Sequence, residues 1–162
     1  MKNFRIEFKW ALIFSAFTLF WMAMEKSVGL HDKYIEHHAI YTNLIAIPYL
    51  IIFYLAIKQK RDEYYKGVMT WQQGMLSGSI VSVIVAVLSP LVTYLTVYFI
   101  SPDYFQNAIE FSVEHKKMKQ ATAESFFSIN FYLLQAVFGS LAMGIVTSAV
   151  MAWILRKNPK KE

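Results

Sequence analysis

The chain has 162 residues, of which 56% are hydrophobic and only 17% are charged, and its net charge is +5 at neutral pH. Soluble domains carry about 25% charged residues, and here the missing charges leave four long apolar stretches, which argues against a soluble globular protein. The sequence has no cysteine, so disulfides, thiolate metal sites and cysteine nucleophiles are excluded.

The four apolar stretches comprise residues 10–28, 39–57, 74–100 and 129–155. As helices, each is long enough to cross the roughly 30 Å apolar core of a bilayer. The first stretch ends in bulky residues such as Trp21 and Met22, which do not suit signal-peptide cleavage, so we expect it to remain as a span. The sequence therefore predicts an all-α integral membrane four-helix bundle, with residues 1–162 as a single membrane domain.

The distribution of Lys and Arg predicts the orientation of these spans. Positive residues are enriched in the cytoplasmic segments of membrane proteins. One side of the predicted bundle carries Lys2, Arg5, Lys9, Lys58, Lys60, Arg61, Lys66, Arg156, Lys157, Lys160 and Lys161. The other side carries only Lys26, Lys33, Lys116, Lys117 and Lys119. We therefore expect both termini and the middle loop to be cytoplasmic.

Two loops contain helix-start signals. Thr70 and Gln73 have the spacing of a capping box, in which each residue's side chain bonds the other's backbone N–H, at the start of the third span. Ser101 followed by Pro102 predicts a helix over residues 102–115, since Ser is a favoured N-cap and Pro a favoured first residue. Apolar residues recur there at helical spacing, so we expect a short amphipathic extracytoplasmic helix on the membrane surface or on the bundle.

Several segments together resemble a known family. They are KNFRIEFKWALIF, EKSVGLHDKYIEHHAIYTNLIAIP, MTWQQGMLSGSIVSVIVAVLSPL and SPDYFQNAIEF. They are similar to a bacterial four-span membrane family known as domain of unknown function 4199. The resemblance covers nearly the whole chain and implies a helical protein of the bacterial inner membrane. It implies no activity, substrate or catalytic residue.

Small residues recur every fourth position in the last two spans. The stripe in the third span is Gly74, Gly78, Ser82 and Ala86, and that in the fourth is Ser140, Gly144, Ser148 and Ala152. Small residues at this spacing let membrane helices approach closely. Antiparallel spans would pair Gly74 with Ala152, Gly78 with Ser148, Ser82 with Gly144, and Ala86 with Ser140, forming a helix-packing seam. The alternative is that one stripe mediates homodimerisation.

Polar residues lie at similar depth in the outer half of the predicted bundle. An acid within the membrane boundary is by default a candidate functional residue, and Glu25 in the first span is one. We predict an outward-facing polar cavity lined by Glu25, Asn43, Thr93, Thr96 and Gln135. The alternative for Glu25 is that its carboxylate extends to the nearby interface.

The first outer loop holds the weak candidates for metal ligands, His31, Glu36 and His38. Imidazole and carboxylate are suitable zinc ligands, but the loop matches no named metal motif. A solvated polar loop explains it more simply, and a pH-sensing histidine cluster is a further alternative. We therefore expect neither a metal nor another cofactor.

The sequence favours a non-catalytic membrane module that assembles with itself or binds a membrane partner. The alternative is a small transporter or permeation subunit that uses the outer cavity. Whether the protein is an enzyme stays open, with no catalytic residue to name, since no phosphate-binding loop or nucleophile elbow is present. The basic residues suit anionic lipid headgroups rather than nucleic acid.

Overall fold

The computed structural model describes residues 4–157 and confirms the all-α membrane bundle. Within that range it is helical with no β-strand, and four helices are long and apolar enough to cross a membrane: Arg5–Ser27, Ile35–Tyr64, Trp71–Ile100 and Ile129–Leu155. Lys2, Lys160 and Lys161, which belong to the charge count above, lie outside the described residues.

Two of these spans are continuous α-helices. They are α1 (Arg5–Ser27) and α7 (Ile129–Leu155). The second span is composite, with α2 (Ile35–Tyr41), a 3-10 turn (Thr42–Ile45), α3 (Ala46–Gln59) and a π-helical turn (Lys60–Tyr64). Pro48 has no backbone N–H to donate to the Leu44 carbonyl four residues earlier, and its ring crowds that carbonyl, which accounts for the 3-10 turn before α3.

The third span starts and ends with local signals. It consists of α4 (Trp71–Leu95) and a π-helical turn (Thr96–Ile100), with Pro90 inside the helix. The predicted capping box is confirmed. The backbone N–H of Gln73 donates to Thr70 Oγ1 at 3.3 Å, and the backbone N–H of Thr70 donates to Gln73 Oε1 at 2.9 Å. These two bonds satisfy amides that the first helical turn would otherwise leave unpaired.

Two short helices, α5 (Tyr104–Glu114) and α6 (Gln120–Phe126), connect the third and fourth spans. The predicted start of the first of these helices was wrong by two residues. Asp103 occupies the N-cap of α5 without a side-chain bond, and Ser101 is buried instead of capping it. The buried face of α5 includes Ala108 and Ser112, as expected for an amphipathic helix resting on the bundle.

The spans pack as a ring in which α4 contacts α7 most extensively, α1 packs on α4 and α3, and α3 packs on α7. We call the end that contains residues 4–10, 58–71 and 153–157 the terminal end. A backbone pair closes it, with Met69 N–H donating to Lys157 O at 3.0 Å and Lys157 N–H donating to Met69 O at 2.8 Å. We call the opposite end, with residues 25–42 and 96–132, the histidine end.

The hydrophobic core is concentrated in the half of the bundle nearer the terminal end. Its largest members lie in the first half of α1, the second half of α3, the first half of α4 and the last turns of α7: Phe14, Ile52, Phe53, Ile57, Val81, Val85, Met151 and Leu155. The half nearer the histidine end contains the polar clusters and cavities described next, so the two halves of one bundle are packed differently.

Candidate functional site: a buried carboxylate and two histidines

The site begins at the last turn of α1, where the chain reverses direction. Gly29 has a φ of +83°, a conformation that side chains with a Cβ rarely adopt. Leu30 N–H donates to Glu25 O at 3.0 Å, and Tyr34 N–H donates to Gly29 O at 2.7 Å. This tight turn brings His31 back against the end of the helix that it has just left.

Glu25 is the centre of the site and is only 1% exposed. Trp21, one helical turn earlier, donates its Nε1–H to Glu25 Oε1 at 2.6 Å. The other carboxylate oxygen, Oε2, lies 3.2 Å from His31 Nε2 and 3.5 Å from His38 Nε2. His31 comes from the turn after α1, and His38 comes from α2. We call Glu25, His31 and His38 the Glu25 cluster.

A surrounding layer of polar groups fixes the two histidines. The Tyr104 hydroxyl of α5 lies 3.4 Å from His38 Nδ1 and 3.3 Å from the Tyr132 hydroxyl. Asn107 donates its Nδ2–H to the His31 carbonyl at 3.0 Å. Burial raises the pKa of Tyr104, and the nearby Tyr132 and Glu25 raise it further, so this hydroxyl stays neutral and able to donate. The helix α5 therefore holds the Glu25 cluster in place.

The charge of the cluster differs from that of an ordinary ion pair. Lys26, the residue after Glu25, pairs instead with Asp32 at 3.1 Å. The partners of the Glu25 carboxylate within residues 4–157 are therefore an indole and two imidazoles. His31 Nδ1 is buried and has no hydrogen-bond partner in the described part of the chain. Its ring is thus oriented by the contact of Nε2 with Glu25 and by packing.

Both histidines line a cavity of about 340 Å³ between the spans. The predicted cavity residues Thr93, Thr96 and Gln135 line it too. Glu25 does not line this cavity, but its carboxylate contacts the two imidazoles that do. Glu25 was predicted to line the cavity itself, whereas it lies beside two lining histidines, because the turn at Gly29 brings His31 back onto the end of α1.

A second cavity, of about 380 Å³, extends towards the middle of the bundle and shares Thr93 and Gln135 with the first. Asn43 lines this second cavity and not the first. Its amide donates to the Ala39 carbonyl at 2.6 Å, so its hydrogen-bonding capacity is partly used within its own helix. The predicted polar cavity is thus divided into two, and Asn43 is separated from the Glu25 cluster.

Glu36 does not join His31 and His38. Its side chain is 59% exposed and lies 3.4 Å from His37 Nε2. His31 and Glu36 do not lie on one helix, because residues 28–34 form turns and the helix α2 begins only at Ile35. The acid that meets the two histidines is Glu25. The spacing of Trp21 and Glu25, four residues apart on one helix, is the signal that could have identified the indole partner.

At the small-residue seam the structure brings three of the predicted pairs together. A Cβ added at Gly78 would lie 2.5 Å from Ser148 Cβ, one at Gly144 would lie 2.7 Å from Ser82 Cβ, and one at Gly74 would lie 2.9 Å from Ala152 Cβ. These approaches leave no room for a side chain. In the fourth pair, Ala86 is buried and Ser140 lines the second cavity, so the close seam ends where the cavity begins.

The terminal end contains a second buried carboxylate that the sequence analysis missed. Glu7 is 1% exposed; its Oε1 lies 2.8 Å from Lys60 Nζ and accepts the Ser77 hydroxyl at 2.9 Å. This ion pair joins α1, the end of the second span and α4. The first span was predicted to begin at residue 10, so Glu7 lay outside it, whereas α1 begins at Arg5 and includes Glu7.

Comparison with known proteins identifies the family. The profile described as "protein of unknown function (DUF4199)" matches residues 9–157. The chain belongs to this family. The match includes Glu25, His31, His38 and the seam, whereas Glu7 lies just before it. No curated protein and no solved structure matches the chain. The family confirms the resemblance found in the sequence and assigns no function to the site.

Proposed function

We propose that the protein is a non-catalytic binding module of the bacterial inner membrane, with both termini in the cytoplasm and the histidine end facing outward. In this proposal the half of the bundle nearer the terminal end is a fixed scaffold. The half nearer the histidine end receives a small polar ligand or ion in the first cavity, where His31 and His38 are presented. Assembly through the small-residue stripes is not part of the proposal, since those stripes face each other within one chain.

The observation that carries this proposal is the contrast in packing along the bundle. Three pairs of small residues close the seam near the terminal end. In the other half, a cavity of about 340 Å³ remains, and the polar groups on its walls include two imidazoles, four threonine side chains and one glutamine. Ligand sites in proteins are typically concave and mostly apolar, with a few convergent polar groups, and this cavity has that character.

The orientation is supported by the excess of Lys and Arg in the segments around the terminal end. Such segments stay on the cytoplasmic side of bacterial membranes. Trp10, Trp71 and Trp153 all lie near the terminal end, which agrees with a membrane interface there, because tryptophan is enriched at both interfaces.

Single cysteines test the proposal cleanly because the natural chain has none. We would introduce Gln135→Cys or Thr93→Cys and treat intact cells, with permeabilised outer membranes, with a membrane-impermeant maleimide. Both positions should react, since both line the first cavity. The matched control is Val87→Cys, six residues before Thr93 on the same helix and 74% exposed on the outside of the bundle. A thiol in contact with lipid is not ionised and should remain unmodified.

The labelling result decides the proposal. Reaction at residues 93 and 135 but not at residue 87 is the expected outcome. If residues 93 and 135 resist the reagent to the same extent as residue 87, the cavity is closed to water from outside and the proposal is wrong. If they react only from the cytoplasmic side, the proposed orientation is wrong.

A small transporter is the second candidate, and one observation favours it. The second cavity continues from the first as far as Gly144 and Phe53, deeper in the bundle. A complete path would then require the seam between Gly78 and Ser148 to open. A disulfide between Met69→Cys and Lys157→Cys, whose backbones already bond each other at the end of the seam, should hold the third and fourth spans together and abolish flux in proteoliposomes if the protein transports. A binding module should retain its ligand after the same crosslink.

A further inference from the structure

We propose that Glu25, His31 and His38 bind a divalent first-row transition-metal ion, for which Zn²⁺ is the representative. The inference deepens the proposed function, because the ion would reach the cluster through the first cavity. It concerns three residues that come from three neighbouring segments: the end of α1, the turn after it, and α2. Their donor atoms lie within 4.8 Å of one another.

The chemistry of the donors suits such an ion. Neutral imidazole and carboxylate are the ligands of zinc sites with two histidines and one acid. Imidazole also suits copper, iron and nickel, whereas Mg²⁺ and Ca²⁺ prefer oxygen ligands. The cluster presents two imidazole nitrogens and one carboxylate oxygen, so it selects for the transition metals over the hard cations.

The distances between the donor atoms also fit a shared ion. In a tetrahedral zinc site with bonds of about 2.0–2.1 Å, neighbouring ligand atoms lie about 3.3–3.4 Å apart. Glu25 Oε2 lies 3.2 Å from His31 Nε2 and 3.5 Å from His38 Nε2. Charge-assisted hydrogen bonds from nitrogen to a carboxylate are shorter, about 2.7–2.9 Å. These two separations match the edges of a coordination tetrahedron, and the third, between the two imidazoles, is within 4.8 Å.

The surrounding groups orient two of the three donors, His38 and Glu25, as metal sites usually require. Metal-binding histidines commonly bond through the second ring nitrogen, which fixes the tautomer and the ring. His38 does so, with its Nδ1 facing the Tyr104 hydroxyl at 3.4 Å. Trp21 holds the carboxylate through Oε1 and leaves Oε2 directed at the histidines. One nitrogen of each histidine and one oxygen of Glu25 thus remain within 4.8 Å of one another.

The cluster also has an open side. His31 and His38 line the first cavity, while Glu25 is buried and does not line it. Three protein ligands with a fourth position facing a cavity are the arrangement in which zinc accepts water or an exchangeable ligand. The ion would also compensate the Glu25 carboxylate, which is otherwise buried without a Lys or Arg partner within residues 4–157. Buried charges normally require such compensation.

Cobalt(II) is the probe for the test, because its visible absorption reports both binding and coordination geometry. The full-length protein in lipid nanodiscs would be stripped with a chelator and titrated with Co²⁺, then with Zn²⁺ as competitor. We expect one Co²⁺ per chain with the intense absorption of a four-coordinate ion, and its displacement by Zn²⁺. His38→Gln should lower the affinity by more than about 100-fold, since loss of an outer partner alone costs about 10–100-fold.

The controls separate this site from surface binding. His37→Gln changes an exposed histidine beside an exposed acid in the same helix and should leave the titration unchanged. Tyr104→Phe removes only the partner of His38 Nδ1 and should weaken binding about 10–100-fold without abolishing it. Thermal unfolding of each variant establishes that it is folded. His38 is 18% exposed, so its replacement is less disruptive than that of Glu25.

Two results would overturn the metal site. One is the absence of stoichiometric Co²⁺ binding by the natural protein. The other is an equal loss of Co²⁺ binding in His37→Gln and His38→Gln, which would indicate binding at the exposed pair of Glu36 and His37 instead. The maleimide experiment distinguishes these failures from failure of the proposed function. If residues 93 and 135 are labelled but Co²⁺ does not bind, the metal site is wrong and the binding module stands.

Discussion

Helix α1 carries two buried carboxylates, one near each end, and their partners differ in kind. Glu7 at the terminal end pairs with the ammonium of Lys60, a permanent cation with no lone pair to offer a ligand. Glu25, about 27 Å further along the helix at 1.5 Å per residue, meets two imidazoles. Imidazoles can be neutral or charged and can bind metals. One carboxylate is therefore suited to holding helices together and the other to binding.

The packing around each carboxylate agrees with this division. Glu7 lies beside the hydrophobic core and the part of the seam in which Gly74 and Gly78 leave no room for a side chain. Glu25 contacts two histidines that line the first cavity. The comparison indicates that a small membrane bundle can combine a rigid half with a binding half along the same four helices. Each of the following predictions tests one side of that contrast.

The largest effect should come from breaking the ion pair at the terminal end. Removing one partner of a buried ion pair typically costs about 3–5 kcal/mol, because the other charge is left uncompensated. We expect Lys60→Met to lower the free energy of unfolding by that amount, measured by denaturant unfolding in micelles. Lys58→Met, at an exposed position two residues away, is the control. The double variant Glu7→Gln with Lys60→Met should recover most of the lost free energy of unfolding. If Lys58→Met and Lys60→Met lose the same amount, the Glu7–Lys60 ion pair does not stabilise the bundle.

Overpacking of the seam should have the next largest effect. Gly144→Ala would place its Cβ 2.7 Å from Ser82 Cβ, and such crowding costs about 1–3 kcal/mol. Gly139, in the same helix, has nothing within 4 Å of its added Cβ. We therefore expect Gly139→Ala to be neutral or stabilising, since Ala is the better helix former. If denaturant unfolding gives the same free energy of unfolding for Gly144→Ala and Gly139→Ala, the seam does not pack within one chain as described.

Glu25→Gln should destabilise the protein less than Glu7→Gln does. Glu7→Gln removes the anion of a buried ion pair whose other member, the Lys60 ammonium, is a permanent cation, whereas the partners of Glu25 are imidazoles, which carry no permanent charge. We expect a cost of about 1–2 kcal/mol for Glu25→Gln, mainly from weakened hydrogen bonds. The same unfolding assay, without added metal, measures both variants. A larger loss from Glu25→Gln than from Glu7→Gln would make Glu25 the structural residue.

The smallest effect on stability should come from substituting the two loop glycines, Gly29 at the histidine end and Gly67 at the terminal end. Their effects on Co²⁺ binding should differ. Gly29 and Gly67 have φ values of +83° and +86°, and alanine in that conformation costs about 1 kcal/mol. Gly29→Ala also meets Asp32 and Tyr34 at 3.2 and 3.3 Å, whereas Gly67→Ala meets nothing within 4 Å. We expect similar losses of stability but weaker Co²⁺ binding only in Gly29→Ala. Equal Co²⁺ affinities in the two variants would show that the turn at Gly29 does not position the Glu25 cluster.

The sequence predicts what depends on local periodicity and capping. The capping box of Thr70 and Gln73 and the all-α class follow from spacing and hydropathy alone. The Glu25 cluster does not, because it depends on a reversal at Gly29 that brings His31 back onto the preceding helix. Glu7 and Lys60 are 53 positions apart in the sequence. Their meeting depends on how α1 packs beside the second span, which no local pattern specifies.

The central claim is that the histidine end is a binding site, and an experimental structure of the protein with Zn²⁺ in lipid tests it most directly. Anomalous scattering at the zinc edge locates the ion independently of the protein model. We expect one peak about 2.0–2.2 Å from Glu25 Oε2, His31 Nε2 and His38 Nε2, with its fourth side towards the first cavity. A zinc-soaked structure with no peak at these atoms, or with a peak only at Glu36 and His37, would contradict the claim.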